Sequence, residues 1–136
     1  MTATHLVDKS AWARASVPAV ARVLFDLSRW GRLASCSIVD LEILYSARNG
    51  TDHASIMEEL SGLSHIPIEQ RVFDRAIEVQ ARLAPSARHR LPIPDLVIAA
   101  TAELNDLIIL HYDHDFPLIA EVTGQAEQWV VPPGSA

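Results

Sequence analysis

The sequence predicts an α/β fold in which a mainly parallel sheet is covered by helices on both faces. Short continuous apolar segments, such as His5-Leu6-Val7 and Leu107 to Tyr112, alternate with segments whose apolar residues recur at helical spacing. Those short segments do not alternate apolar with polar residues, which is the pattern of strands buried on both faces. An acidic residue also stands where four apolar segments break off. Asp8 follows Leu6-Val7, Glu42 interrupts Ile38 to Tyr45, Asp95 opens Leu96-Val97-Ile98, and Asp113 follows Leu110-His111-Tyr112.

The elements follow in order. His5 to Val7 is a short strand. Ser10 can cap a helix from Ala11 to Ala15. Pro18 suits the first turn of a second helix, with Val20, Val23, Leu24 and Leu27 on one face and Gly31 as its stop. Leu33 to Cys36 reads as a strand. Ser37 and Asp40 resemble a capping box, which starts a helix running to about Arg48 and places Glu42 in its second turn. Asn49-Gly50 signals a turn. Thr51 to Leu63 is helical, His65 to Ile68 a brief strand, and Glu69 to Leu83 a helix with Val72, Phe73, Ala76, Val79 and Leu83 on one stripe. Pro85 to Arg90 is a loop. Pro92 and Pro94 hold the chain extended before a helix from Asp95 to about Leu104. Asn105-Asp106 turns into the strand Leu107 to Tyr112. A short helix, Phe116 to Val122, and a strand, Gln128 to Val131, complete a single domain over residues 1–131, with 132–136 as a tail.

With 136 residues, of which 49% are AVILMFWYC, the chain has enough apolar material for one packed core and too much for disorder. No apolar run approaches the roughly 20 residues of a membrane helix, and no secretory signal is visible. A lone cysteine, Cys36, cannot form an intrachain disulfide, so a reducing cytoplasm is expected, with Cys36 as a small core residue. Trp12, Phe25, Trp30 and Phe73 are expected in the core or in a dimer interface. The net charge of −6 argues against broad electrostatic binding of nucleic acid, but not against a site where metal ions meet phosphate.

A carboxylate beside buried apolar residues is costly unless it is paired, hydrogen-bonded or bound to a metal. In a parallel sheet, ligands bind outside the carboxyl ends of the strands. Asp8 and Asp113 lie at such ends, and Glu42 and Asp95 lie near helix starts that can face the same edge. Magnesium and manganese favour hard oxygen ligands of this type. Each acid also has a plain structural role open to it. Asp8 or Asp95 can cap a helix, Asp113 and Asp115 can form a polar turn, and Glu42 can pair with Arg14 or Arg48. His111 and His114 form H-x-x-H, but at a strand-to-loop junction rather than on a helix, which weakens a zinc reading.

The motifs resemble a known family. Leu6-Val7-Asp8-Lys9-Ser10, Asp40-Leu41-Glu42-Ile43-Leu44, Pro92-Ile93-Pro94-Asp95-Leu96-Val97 and Tyr112-Asp113-His114-Asp115-Phe116 are similar, in order, to the acidic motifs of PIN-domain ribonucleases, specifically the VapC toxins of bacterial toxin–antitoxin pairs. The resemblance implies a three-layer α/β/α sandwich and endonucleolytic cleavage of RNA dependent on Mg2+ or Mn2+. It implies a homodimer, and a VapB-like antitoxin whose C-terminal segment occupies the active site. Asp8, Glu42, Asp95 and Asp113 become the catalytic quartet, with Asp8, Asp95, Asp113 and Asp115 toward the metal. Ser10 matches a supporting hydroxyl. Arg14, Arg88 and Arg90 are candidate phosphate contacts because they lie near the motif segments. Two alternatives stand beside this reading. One is a non-catalytic PIN-like binding module. The other is a metal-dependent phosphohydrolase of small phosphoesters, which would need an acid two residues after its nucleophilic aspartate, where this chain has Ser10.

Overall fold

In a computed structural model, which describes residues 2–136, five parallel strands form one sheet in the order β3-β2-β1-β4-β5. The strands are β1 His5–Val7, β2 Leu33–Ser35, β3 Ser64–His65, β4 Ile108–His111 and β5 Glu127–Trp129. The helices are α1 Lys9–Trp12, α2 Pro18–Arg29, α3 Ser37–Tyr45, α4 Gly50–Ser61, α5 Gln70–Leu83, α6 Ile93–Leu104 and α7 Asp115–Thr123, with a 3-10 turn at Ala84–Ser86. Helices flank the sheet as an α/β sandwich. α5, α6 and α7 pack on one another, α1 and α4 pack on α3, and α3 meets α6.

The core follows from the strand pattern. Leu6, Val7, Ile109, Leu110 and Ala34 are fully buried at the centre of the sheet, under Ile98, Leu83, Val79 and Ile119 from the helices. Helix α6 buries every residue from Asp95 to Ala102, which explains why its sequence is apolar all round. Helix α3 differs. Its sequence is equally apolar, yet Leu41 is 64% and Tyr45 92% exposed.

The chain leaves β1 toward β2 on one side and pairs β1 with β4 on the other, in the register Leu6–Ile109 and Val7–Leu110. The winding direction therefore reverses between β1 and β4, and the crevice beyond their carboxyl ends is where such a sheet binds its ligand. Asp8 and Asp113 leave those two strands.

Several boundaries differ from expectation for local reasons. The first helix begins at Lys9, capped by Asp8 rather than Ser10. Ser37 is the first residue inside α3 and not its cap. Asp40, instead of closing a capping box, accepts from Ser35 Oγ and pairs with His65 Nε2 at 2.9 Å. That helix stops at Tyr45, short of Arg48. Asn49 turns the chain by capping α4, its side chain accepting from the Asp52 amide at 2.9 Å. The third strand is only Ser64–His65. Pro92 is extended, but Pro94 lies inside the first turn of α6, where a missing N–H is tolerated. Phe25, Trp30 and Phe73 are 63%, 52% and 41% exposed rather than in the core of this chain. Residues 132–136 fold back, with the Gly134 and Ala136 amides donating to Tyr112 Oη at 2.7 and 3.0 Å. Among the described residues no helix is long and apolar enough to cross a membrane.

Candidate metal centre

Asp8 occupies the first position after β1, where the chain turns into α1. One oxygen, Oδ2, accepts from the Ser10 amide at 2.9 Å and from Ser10 Oγ at 2.6 Å, which caps the helix. The other, Oδ1, is buried without a hydrogen-bond partner. The cap thus uses one oxygen of the carboxylate and leaves the other unpartnered. Ser10 Oγ also accepts from the Tyr112 amide at 2.8 Å, and so ties the end of β1 to the end of β4.

Asp113 is positioned from the other side. Its amide donates to His111 Nδ1 at 3.1 Å, so the imidazole carries its proton on Nε2, which donates to Glu127 Oε1 at 2.6 Å. His111 is fully buried between the Phe116 and Trp129 rings, and burial lowers its proton affinity, so the neutral form is the one that accepts from Asp113. Both ring nitrogens of His111 are occupied, so it has none free for zinc. Asp113 Oδ1 accepts from the Asp115 amide at 2.9 Å, the polar turn expected between strand and helix.

Asp95 sits in the first turn of α6 and does not cap it, because the cap position is Pro92. Its carboxylate joins those of Asp113 and Asp115, with one oxygen of each lying within 4.8 Å of the others. Burial, the charge of Asp8, a hydrogen bond with Asp115 and the charge of Asp113 push Asp95 up to about 8. Burial, together with Asp113, also raises Asp8. Glu42 is raised by burial and by Asp8, and its Oε1 is the second buried oxygen without a partner. Its salt bridge is to Lys9 Nζ at 3.8 Å, not to Arg14 or Arg48. Arg48 lies beyond the end of α3 and pairs with Asp52 at 3.4 Å.

The structure therefore gathers Asp95, Asp113 and Asp115 tightly, with Asp8 close enough to raise Asp95, and Glu42 close enough to be raised by Asp8 and Asp113. Of the expected phosphate contacts, Arg14 lines a cleft together with Asp113. Arg88 pairs with Glu121 at 2.8 Å, and Arg90 is exposed in the loop before α6. Sequence reasoning missed the His111–Glu127 support, the bridge through Ser10 and the role of Lys9. Only Lys9 left a signal, as the one lysine among eleven basic residues, set between two motif positions.

The chain is thus a doubly wound parallel α/β protein with carboxylates converging at its reversal point. The sequence matches the PIN domain over residues 5–122, and the chain belongs to the PIN-domain family. Within it the relatives are VapC ribonucleases. The chain is 45% identical over 132 residues to Ribonuclease VapC18 of Mycobacterium tuberculosis, covering 95% of this chain and 96% of that one. It is 44% identical to Ribonuclease VapC21 of the same organism over the full length of both. The fold is that of DNA-bound VapBC from Salmonella typhimurium, with a TM-score of 0.80 at 15% identity over 95% of this chain and 99% of that one. VapBC2 from Rickettsia felis matches with a TM-score of 0.77 at 18% identity, over 95% and 99%.

Proposed function

We propose that this chain is an endoribonuclease toxin that hydrolyses RNA phosphodiester bonds with a divalent ion, Mg2+ or Mn2+, and is neutralised by a cognate VapB-like antitoxin in the cytoplasm. One observation carries the metal part of this reading. Five carboxyl groups lie near one another, two of them, in Asp8 and Glu42, present buried oxygens with no partner, and Asp95 is driven toward its protonated form. Close carboxylates repel unless a cation sits among them. Asp8 Oδ1, Asp95, Asp113 and Asp115 are the oxygens to hold it. When bound, such an ion lowers the pKa of a coordinated water and offsets charge on the phosphate.

The remaining residues act through geometry. Ser10 fixes Asp8 so that only Oδ1 stays free. His111, backed by Glu127, holds the backbone of Asp113. Glu42 Oε1 stands ready to accept the proton of the attacking water, while Lys9 steadies the other oxygen and offsets its charge. Of the three candidate arginines only Arg14 lines a cleft bordering the acids; Arg88 and Arg90 line neither of the two.

For the antitoxin, the apolar groove of Trp12, Leu24 and Phe25 where α1, α2 and α4 meet suits one face of an amphipathic segment. The deciding experiment is cleavage of RNA by Asp95→Asn. The variant is expected to keep the wild-type circular dichroism and lose more than about 100-fold in rate, since even an outer-shell partner of a metal ligand costs about 10- to 100-fold. Cleavage at the wild-type rate would reject the assignment.

A further inference from the structure

We propose that the cleft beside Asp113 is a nucleobase subsite, with the Arg14 guanidinium as its stacking plane; the inference rests on the ribonuclease reading and deepens it. The cleft measures about 410 Å³ and is lined by Lys9, Trp12, Arg14, Ile43, Tyr112 and Asp113, among others. That volume falls in the range of about 300–1,000 Å³ typical of small-ligand sites. Asp113 joins it to the acidic cluster, so a nucleotide seated there has a neighbouring phosphodiester near the candidate metal ligands.

Arg14 is held as a flat surface. Its Nη1 donates to the Ser10 carbonyl at 2.8 Å, and its guanidinium carbon lies 4.2 Å from the centroid of the Tyr112 ring. The Tyr112 ring is fixed in turn. Its amide donates to Ser10 Oγ at 2.8 Å, its hydroxyl accepts from Gly134 and Ala136, and its edge meets the Trp129 ring with centroids 5.5 Å apart. A guanidinium locked this way loses little freedom when a second plane stacks on it.

Among the described residues, Arg14 has no carboxylate partner of its own. Arg48, Arg71, Arg75, Arg82 and Arg88 all pair with carboxylates. Arg14 is half-buried and has only a carbonyl and an aromatic face, although an acidic cluster lies nearby. Its positive plane therefore remains available to an electron-rich partner. With a net charge of −6, long-range attraction does not gather RNA here, and short-range contacts must hold the strand. Single-stranded RNA is commonly held by stacking its bases on aromatic rings or arginine planes. Lys9, 53% exposed at its side chain on the wall shared with Glu42, offers the backbone phosphate a cation at the acidic edge.

The test scans 2-aminopurine position by position through a single-stranded RNA that the wild-type protein cuts, bound to the Asp95→Asn protein so that it stays whole. Fluorescence should be quenched at one or two adjacent positions only. Arg14→Lys on the same background keeps the charge and removes the plane; it should reduce the quench at least fivefold while the salt dependence of binding is retained. Ser46→Trp, which fills the cleft from its exposed rim, should abolish the quench. Equal quenching at every position, or wild-type quenching in both variants, overturns the subsite. If Arg14→Lys weakens capture of the antitoxin but leaves the RNA signal unchanged, the cleft serves the protein partner and the proposal falls. The ribonuclease reading would survive each of these results so long as the unsubstituted protein still cuts RNA.

Discussion

At the scale of single residues, Asp95 sets the pH behaviour. Its proton affinity is raised from 3.8 to about 8 in the folded, metal-free chain. The folded state thus favours the protonated form. The stability this group contributes is complete below about pH 4 and is lost as pH rises toward 8. Asp8 and Glu42 shift in the same direction. A divalent ion must displace those protons, so its affinity should climb over the same window. Mn2+ is accordingly expected to raise the melting temperature more at pH 8 than at pH 6; an equal gain at both would contradict the assignment. Asp8, Glu42, Asp95 and Asp113 stood out in the sequence because each borders or interrupts an apolar run, with Asp115 two residues past the last. Their supports did not. Ser10 meets Tyr112 across 102 positions, and His111 meets Glu127 from a different strand. Side-chain periodicity carries no trace of such pairings. The expected Arg48 partner for Glu42 failed because α3 ends one turn early, which leaves Lys9, at the start of α1, to reach it.

At the scale of elements, the long helices were readable because one face of each is apolar, as in α2 and α5. Short elements were not. β3 has two residues, both exposed, and its pairing with β2 comes from tertiary context. Helix α3 shows the limit of reading burial from composition, since Leu41 and Tyr45 face solvent despite apolar neighbours. Helix α6 carries both core and site, so its packing and its chemistry can be separated. Ile98→Ala, at a fully buried position three residues past Asp95, should cost about 2–5 kcal/mol in denaturant unfolding. Asn49→Ala, which removes only the α4 cap, should cost about 1 kcal/mol. If Ile98→Ala unfolds no more easily than Asn49→Ala, the central place given to α6 is wrong.

At the scale of the whole molecule, the reversal of winding between β1 and β4 explains why acids so far apart in sequence converge. Alternation of strands and helices was enough to expect a parallel sheet with a site at one edge. Strand order was not readable, because it depends on which crossovers pass to which side. The molecule also leaves Phe73, Ile77 and Ile93 exposed around a small apolar cleft between α5 and α6. A contiguous apolar patch of this kind on a small domain suits a self-complementary contact with a second copy. Ile77→Asp is therefore expected to shift the protein toward monomer in sedimentation, with its circular dichroism unchanged. An unaltered sedimentation profile would exclude this face.

The pairing of β1 with β4 bears on how such a chain is made. The strand that registers against the one preceding Asp8, and the carboxylates of Asp95, Asp113 and Asp115, are translated more than eighty residues after Asp8. A ribosome-bound fragment lacking those residues has no assembled acidic cluster. Nuclease activity therefore arises only after those later residues have been made.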